Sequence, residues 1–247
     1  KRSKTFLSNL VYGKMSIPFE QLLPMSLERF NDEFREKKYF VAKSKENIFK
    51  DHFSWKEVDQ YLNSNKLGGW DRMPQLQIVT PTGKYCHKKA KVKLTREEIF
   101  EYWQQGCSFI LTLSEFLNKT MWQQCQEFEK HYGLGQANLY CSNMKGARCF
   151  PIHADSTDNF LFHVRGSVRW YIYNEFEYDC PKRDEATVET VIDLSEGDLL
   201  YIPKKLYHRV DTLSPRISIS FHFTERKKPY KRMEWLDWLG EINGTTE

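Results

Sequence analysis

The 247-residue sequence predicts an α+β domain that is mainly β, with amphipathic helices in its first half and an antiparallel sandwich or barrel in its second. Three observations carry this. From Gln136 onward, short β-rich runs follow one another and are separated by Gly, Pro or Asp-rich turns. Aromatic residues make up 15% of the chain (17 Phe, 13 Tyr, 7 Trp), and rings suit a pleated, roomy interior. Apolar residues at helical spacing concentrate before Gly133 and again in the C-terminal tail.

The elements follow in order. Ser26 caps a run in which Leu27, Phe30 and Phe34 share one helical face. Tyr39–Ala42 is strand-like. Ser54 and Glu57 have capping-box spacing ahead of Trp55, Val58 and Leu62 on one face. Leu76–Val79 alternates like a strand and stops at Thr80-Pro-Thr-Gly. Thr95 and Glu98 open another helix, Phe109–Leu113 is β-prone, and Leu117–Tyr132 reads as a long helix closed by Gly133. Strands are then expected at Ala137–Ser142, Phe160–Arg165, Val168–Tyr173, Val188–Asp193, Asp198–Ile202, His208–Thr212 and Arg216–Phe223. Lys231–Ile242 reads as a final helix whose Trp235 and Trp238 dock on the barrel or across a homodimer. The chain therefore divides into a helical and irregular leading segment (1–95), a β-barrel core (96–225) and a C-terminal helix (226–247).

Composition excludes several classes. Forty per cent hydrophobic residues with 12 Gly and 9 Pro rule out a disordered or collagen-like chain. The net charge of +4 is small for a dedicated nucleic-acid binder. Basic residues cluster at Lys84, Lys88, Lys89, Lys91 and Lys93 and again at Arg226, Lys227, Lys228, Lys231 and Arg232, which read as solvated surfaces. The first cluster is the sole hint of an RNA partner. The six cysteines are scattered without a Cys-x-x-Cys pair, so reduced thiols in the cytoplasm or nucleus are expected. No run approaches the length of a membrane span, and no membrane partner is expected.

One constellation carries chemistry. Pro151-Ile-His153-Ala-Asp155 sets an imidazole and a carboxylate two positions apart, on one face of a strand. A second imidazole, His208, comes 55 residues later and ends the run Gly197-Asp-Leu-Leu-Tyr-Ile-Pro203-Lys-Lys-Leu-Tyr-His208. Two His and one carboxylate leave one side of an octahedral metal open, the arrangement of non-haem Fe(II) oxygenases. His-x-Asp alone arises often by chance, and a lone His is more often structural. The Gly-Asp turn that delivers the second His adds the specificity.

These residues resemble a known family. Ala137-Asn-Leu-Tyr140, Phe150-Pro-Ile-His-Ala-Asp155, Asn159-Phe-Leu-Phe-His-Val-Arg-Gly166-Ser-Val-Arg-Trp170, Gly197–Pro203 and Ser218-Ile-Ser-Phe221 are similar to the JmjC/cupin-type 2-oxoglutarate oxygenases, in particular the ribosomal-oxygenase-like cupins. Upstream, Phe34–Lys43, Phe53–Leu62 and Gln105–Leu111 fit the same group. The resemblance implies a double-stranded β-helix (jelly roll) with His153, Asp155 and His208 as Fe(II) ligands and 2-oxoglutarate as cosubstrate. It also implies that Asn138, Tyr140 and Asn159 lie against the cosubstrate.

One position departs from the pattern. The family usually places a Lys or Arg two residues after the glycine of the Gly166 turn to pair with the far carboxylate, and here Val168 stands there. A buried carboxylate needs a cation or several donors. Arg216-Ile-Ser218, eight residues past His208, resembles the Arg-x-Ser of other 2-oxoglutarate oxygenases, and a guanidinium pairs bidentately with a carboxylate. Strand parity places Arg216, Ser218, Ser220 and His222 on one face. Arg165 and Arg169 are the alternatives. His163 and His222 are expected to line the pocket, whereas His52, His87 and His131 read as surface residues.

The expectation is an Fe(II)- and 2-oxoglutarate-dependent dioxygenase that hydroxylates a C–H bond of a protein or peptide side chain. The alternatives are the same chemistry on a nucleoside or small metabolite, or a metal-binding cupin module without 2-oxoglutarate turnover.

Overall fold

A computed structural model describes residues 16–63, 75–87, 94–117, 119–133, 135–173 and 187–223, with backbone alone for 60–63, 75 and 87. The expected C-terminal helix, the tail cluster at Arg226–Arg232 and Lys88, Lys89, Lys91 and Lys93 lie outside these residues.

The leading segment supplies α1 (Phe19–Leu22), α2 (Leu27–Arg29), a π-helical turn (Phe30–Phe34), β1 (Phe40–Ala42) and α3 (Trp55–Asn63). Strands β2 (Gln75–Val79) and β3 (Tyr85–His87), helix α4 (Arg96–Gln104), β4 (Ser108–Thr112), a 3-10 turn (Ser114–Phe116) and α5 (Lys119–Glu129) come next. The barrel strands are β5 (Gly135–Ser142), β6 (Asn159–Arg165), β7 (Ser167–Tyr173), β8 (Val188–Ser195), β9 (Leu199–Ile202), β10 (His208–Thr212) and β11 (Arg216–Phe223). They form two antiparallel sheets, eight strands in the order β1-β9-β6-β11-β5-β4-β2-β3 facing three in the order β10-β7-β8. This is the jelly-roll arrangement expected from the strand spacing.

Local sequence explains the helix starts. Ser26 Oγ accepts from Arg29 N at 3.2 Å, and Thr95 with Glu98 forms a reciprocal capping box at α4. At α3 the box is altered. Glu57 accepts from both the Ser54 amide and the Ser54 hydroxyl, and Ser54 Oγ accepts from Lys56 N at 3.2 Å. Trp55 on this helix is 38% exposed while Val58 is buried, so the expected apolar face is only partly covered; the Leu62 side chain lies outside the described residues.

Helix α5 ends at Glu129, short of the expected Tyr132. The cause is packing: Tyr132 stacks on Phe223 with ring centroids 4.4 Å apart and draws the chain toward the barrel, while Gly135 N donates to Glu129 Oε1. The core lies behind the large sheet, where Phe128 meets Phe160 and Phe221 at 5.0 and 5.2 Å and Phe19 of the leading segment at 5.5 Å. A smaller apolar cluster of Leu161, Val168, Trp170, Ile172, Leu194, Leu200, Ile202 and Leu206 fills the space between the sheets.

Two turns require glycine. Gly166 joins β6 to β7 at φ +73°, and a Cβ there would lie 2.0 Å from Pro215 O. Gly197 precedes β9 at φ +90°, where a Cβ would lie 2.2 Å from Glu46 O. The adjacent Asp198 carboxylate is buried, accepts from Ser44 N and Ser195 N, and pairs with Lys43 Nζ at 2.7 Å. This fixes the start of the strand that leads to His208. Among the described residues no helix is long and apolar enough to cross a membrane.

Candidate metal centre

The segment carrying His153 and Asp155 is less regular than its alternation suggests. It pairs with β10 only through the His153–His208 bridge, whose two backbone bonds measure 3.1 and 2.8 Å. Pro151 has no amide to extend the ladder, and the carbonyl of Asp155 instead accepts from Lys205 N at 2.8 Å. The other imidazole arrives from a loop pinned by Asp158, which accepts from Tyr201 Oη at 2.6 Å and Lys204 N at 2.9 Å. Lys205, at φ +66°, makes the sharp turn just before it.

These two supports bring His153, Asp155 and His208 together, with one ligand atom from each inside a 4.8 Å cluster. Nε2 of His153 lies 4.0 Å from Asp155 Oδ1, and Nε2 of His208 lies 3.7 Å from Asp155 Oδ2. Both Nδ1 atoms sit 2.9 Å from backbone carbonyls, of Pro151 and Leu206 respectively. A ring that donates from Nδ1 presents a lone pair at Nε2, the tautomer a metal needs. Burial, with His153 alongside, holds His208 down at about 4, so this imidazole is neutral at ordinary pH. Asn159 Nδ2 donates to Asp155 Oδ2 at 2.7 Å and fixes the carboxylate, while Ser220 Oγ donates to Asn159 Oδ1 at 3.2 Å. Two imidazoles and an oriented carboxylate aimed at one point fit a divalent cation of the Fe(II) type.

The cluster lines a cavity that opens to solvent. Leu161, Trp170, Ile202 and Val210 form its apolar wall, and the Trp170 ring lies 5.3 Å from the His208 ring. Tyr140, Cys149, Arg216, Ser218 and Ser220 supply its polar lining.

Arg216 is 2% exposed. Its Nε donates to Ser142 Oγ at 3.4 Å and its Nη2 to Cys149 Sγ at 2.8 Å. It has no carboxylate partner among the described residues. A guanidinium buried against neutral groups is costly unless an anion joins it.

The other expected residues fall as follows. Tyr140 lines the cavity, and burial first, then Asp155, pushes its phenol up, against a hydrogen bond with Asn138. Asn159 acts on Asp155, as above. His163 stands behind Ser218 rather than in the cavity lining, with Nδ1 3.0 Å from Ser218 Oγ and Nε2 3.0 Å from Gly166 O; burial lowers it to about 4. His222 also lies outside that lining, half-buried and opposite Asn159 in the register, and burial lowers its pKa against the pull of Asp155. Val168 is fully buried among apolar side chains. Arg169 makes a bidentate pair with Asp193 on the outer face and Arg165 lies 3.8 Å from Glu196, so neither alternative cation reaches the cavity. His52 is not a surface residue: it is 2% exposed, bonded to Gln124, and lowered to about 4 by burial.

Sequence reasoning missed Cys149, for which no pattern exists. It also did not single out Leu161, Trp170, Ile202 and Val210 as lining, although the alternation of β6, β7 and β10 places Leu161, Trp170 and Val210 inward.

Residues 112–230 match the family model for the JmjC domain. Over 231 residues the chain is 25% identical to the "Bifunctional lysine-specific demethylase and histidyl-hydroxylase NO66" of Dictyostelium discoideum, covering 89% of this chain and 44% of that protein. It is 24% identical over 226 residues to "Ribosomal oxygenase 1" of Danio rerio, covering 85% of this chain and 39% of the relative. The chain thus spans less than half the length of these curated relatives. Among solved structures it resembles YcfD, a ribosomal oxygenase from Escherichia coli in complex with cobalt and succinic acid. The TM-score is 0.61 at 16% identity, over 90% of this chain and 67% of that one. The same protein with cobalt and 2-oxoglutarate gives 0.59 at 15% identity, over 90% and 67%. At such identities these structures speak to the fold.

Proposed function

We propose that the protein is an Fe(II)- and 2-oxoglutarate-dependent oxygenase that hydroxylates a C–H bond of a protein or peptide side chain, because residues 112–230 match the JmjC domain model and the chain is similar to relatives named as ribosomal oxygenases and histidyl-hydroxylases. The observation that carries this reading is the pairing, in one cavity, of the His153–Asp155–His208 cluster with the buried Arg216, which lacks a carboxylate partner among the described residues. A dicarboxylate that chelates a metal with one end and carries a charge at the other satisfies both ends at once.

Bound iron and 2-oxoglutarate together supply the activation of dioxygen that C–H hydroxylation requires. The chain's own residues do the rest. Nε2 of His153, Nε2 of His208 and the Asp155 carboxylate hold the metal, with Asn159 keeping the carboxylate from rotating. Arg216 grips the far carboxylate, helped by the hydroxyls of Ser218 and Tyr140. Leu161, Trp170, Ile202 and Val210 exclude water from the space between. His163 positions Ser218 from behind. The six scattered cysteines favour a reducing compartment, cytoplasm or nucleus.

The relatives named as ribosomal oxygenases point to ribosomal proteins as the first substrates to try. Stripped ribosomal proteins are incubated with the chain, Fe(II), 2-oxoglutarate and air, and tryptic peptides are weighed. A gain of one oxygen on a defined side chain, matched by succinate, is expected. Succinate without any peptide gaining oxygen would overturn the protein-substrate reading.

A further inference from the structure

Among the described residues one thiol lines the cavity, and it touches the buried guanidinium. Cys149 Sγ accepts from Arg216 Nη2 at 2.8 Å, with Cys149 4% and Arg216 2% exposed. The only other hydrogen bond of this guanidinium among the described residues is Nε to Ser142 Oγ at 3.4 Å. Ser142 Oγ is in turn 2.7 Å from Ser108 Oγ. A positive group, a nucleophilic atom and an open cavity therefore meet at one spot, and neither the metal cluster nor its apolar wall uses the sulfur.

We propose that Cys149 is a covalent modification site for small anionic electrophiles, drawn in and oriented by Arg216. Its natural class is an unsaturated C4 dicarboxylate. This rests on the reading of Arg216 as the carboxylate anchor.

The geometry dictates the class. A carboxylate seats on a guanidinium edge at about 2.8 Å, the separation at which Cys149 Sγ already sits on Nη2. Sulfur and carboxylate oxygen thus share one cation, and the carbon next to the carboxylate falls in contact with the sulfur. A neutral electrophile has nothing to hold it there.

The chemistry balances without a further reactant. The thiolate is the nucleophile. With a C4 unsaturated diacid the S–C bond forms, the carbon–carbon π bond breaks, and the neighbouring carbon takes a proton from water. With a haloacetate the S–C bond forms and iodide leaves with the bonding pair. Either adduct places a permanent carboxylate on Arg216 and closes the seat of the cosubstrate, so inhibition develops with time and without metal.

The test uses the metal-free chain at pH 8 with iodoacetate or iodoacetamide at equal concentration, followed by peptide mass spectrometry. Exposed Cys86 serves as the internal reference. The ratio of Cys149 to Cys86 labelling is expected to be at least tenfold higher for iodoacetate. Succinate should slow labelling at Cys149 and not at Cys86. Arg216→Gln should abolish the preference, and fumarate should leave one adduct, on Cys149. Equal ratios for the two reagents, or no protection by succinate, would overturn the proposal even if the Arg216→Gln variant does not fold. Binding of 2-oxoglutarate to the untreated protein with Mn(II) is measured alongside. Binding without any anionic preference at Cys149 sinks this inference alone, whereas absence of binding strikes the anchor reading as well.

Discussion

Arg216→Met separates the cost of the buried guanidinium from its use. In the free protein, Arg216 is 2% exposed and, among the described residues, hydrogen-bonds to Ser142 and Cys149 with no carboxylate beside it. Removing it strands neither, because Ser142 Oγ keeps Ser108 Oγ at 2.7 Å and a thiol tolerates the loss of a donor. Methionine matches the length of the stem and can follow it through the same gap. Exchanging buried charges for packed apolar groups is neutral or stabilising by ~1–4 kcal/mol. We expect the ligand-free variant to gain about 2 kcal/mol, roughly 4–8 °C for a domain of this size. The bound state behaves oppositely. Truncating one partner of a buried, hydrogen-bonded charge pair costs about 2–5 kcal/mol, so 2-oxoglutarate affinity should fall on the order of 30- to several-thousand-fold. The assay is thermal unfolding with and without Mn(II) and 2-oxoglutarate, together with a metal titration that should be unchanged. A variant that melts lower than wild type when free, yet binds 2-oxoglutarate as well, would overturn this role for Arg216.

Other perturbations probe the supports. Asn159→Ala frees the Asp155 carboxylate and should weaken metal affinity by roughly 10–100-fold, read by metal titration; an unchanged affinity would show that the bond at 2.7 Å does not orient the ligand. Gly197→Ala forces a Cβ onto Glu46 O at 2.2 Å with φ at +90°, and should cost about 2 kcal/mol or more, measured by urea unfolding. His163 is neutral in the fold at about 4, below its unfolded value near 6.5. Protons therefore bind the unfolded chain preferentially below pH 6.5, and stability present at pH 7 is lost as pH falls toward 4. The loss at pH 5 is about 2 kcal/mol from His163 alone. Comparing wild type with His163→Gln by urea unfolding at pH 7 and pH 5 isolates this contribution; equal pH dependence in both would contradict it.

The barrel was legible because its strands are short β-rich runs separated by Gly, Pro or Asp-rich turns, and β10 and β11 fall at their expected boundaries. His153 and Asp155 were legible because a two-residue spacing survives even where the strand shrinks to one bridge, and His208 because a Gly-Asp turn and a short strand lead to it. Arg216 could be inferred from a deficit, because Val168 cannot pair with a carboxylate. What local sequence could not show came from distant contacts. The end of α5 is set by Tyr132 meeting Phe223, and the burial of His52 by its contact with Gln124 on α5. The contact of Cys149 with Arg216 joins residues 67 positions apart and has no signature in either neighbourhood.

The most direct test of the account is anaerobic addition of Fe(II) and 2-oxoglutarate to the purified chain, followed by admission of air. A visible charge-transfer absorption from the chelated metal is expected, then its decay with release of succinate, and neither signal in His153→Ala. No absorption and no succinate from the folded wild-type chain would contradict it.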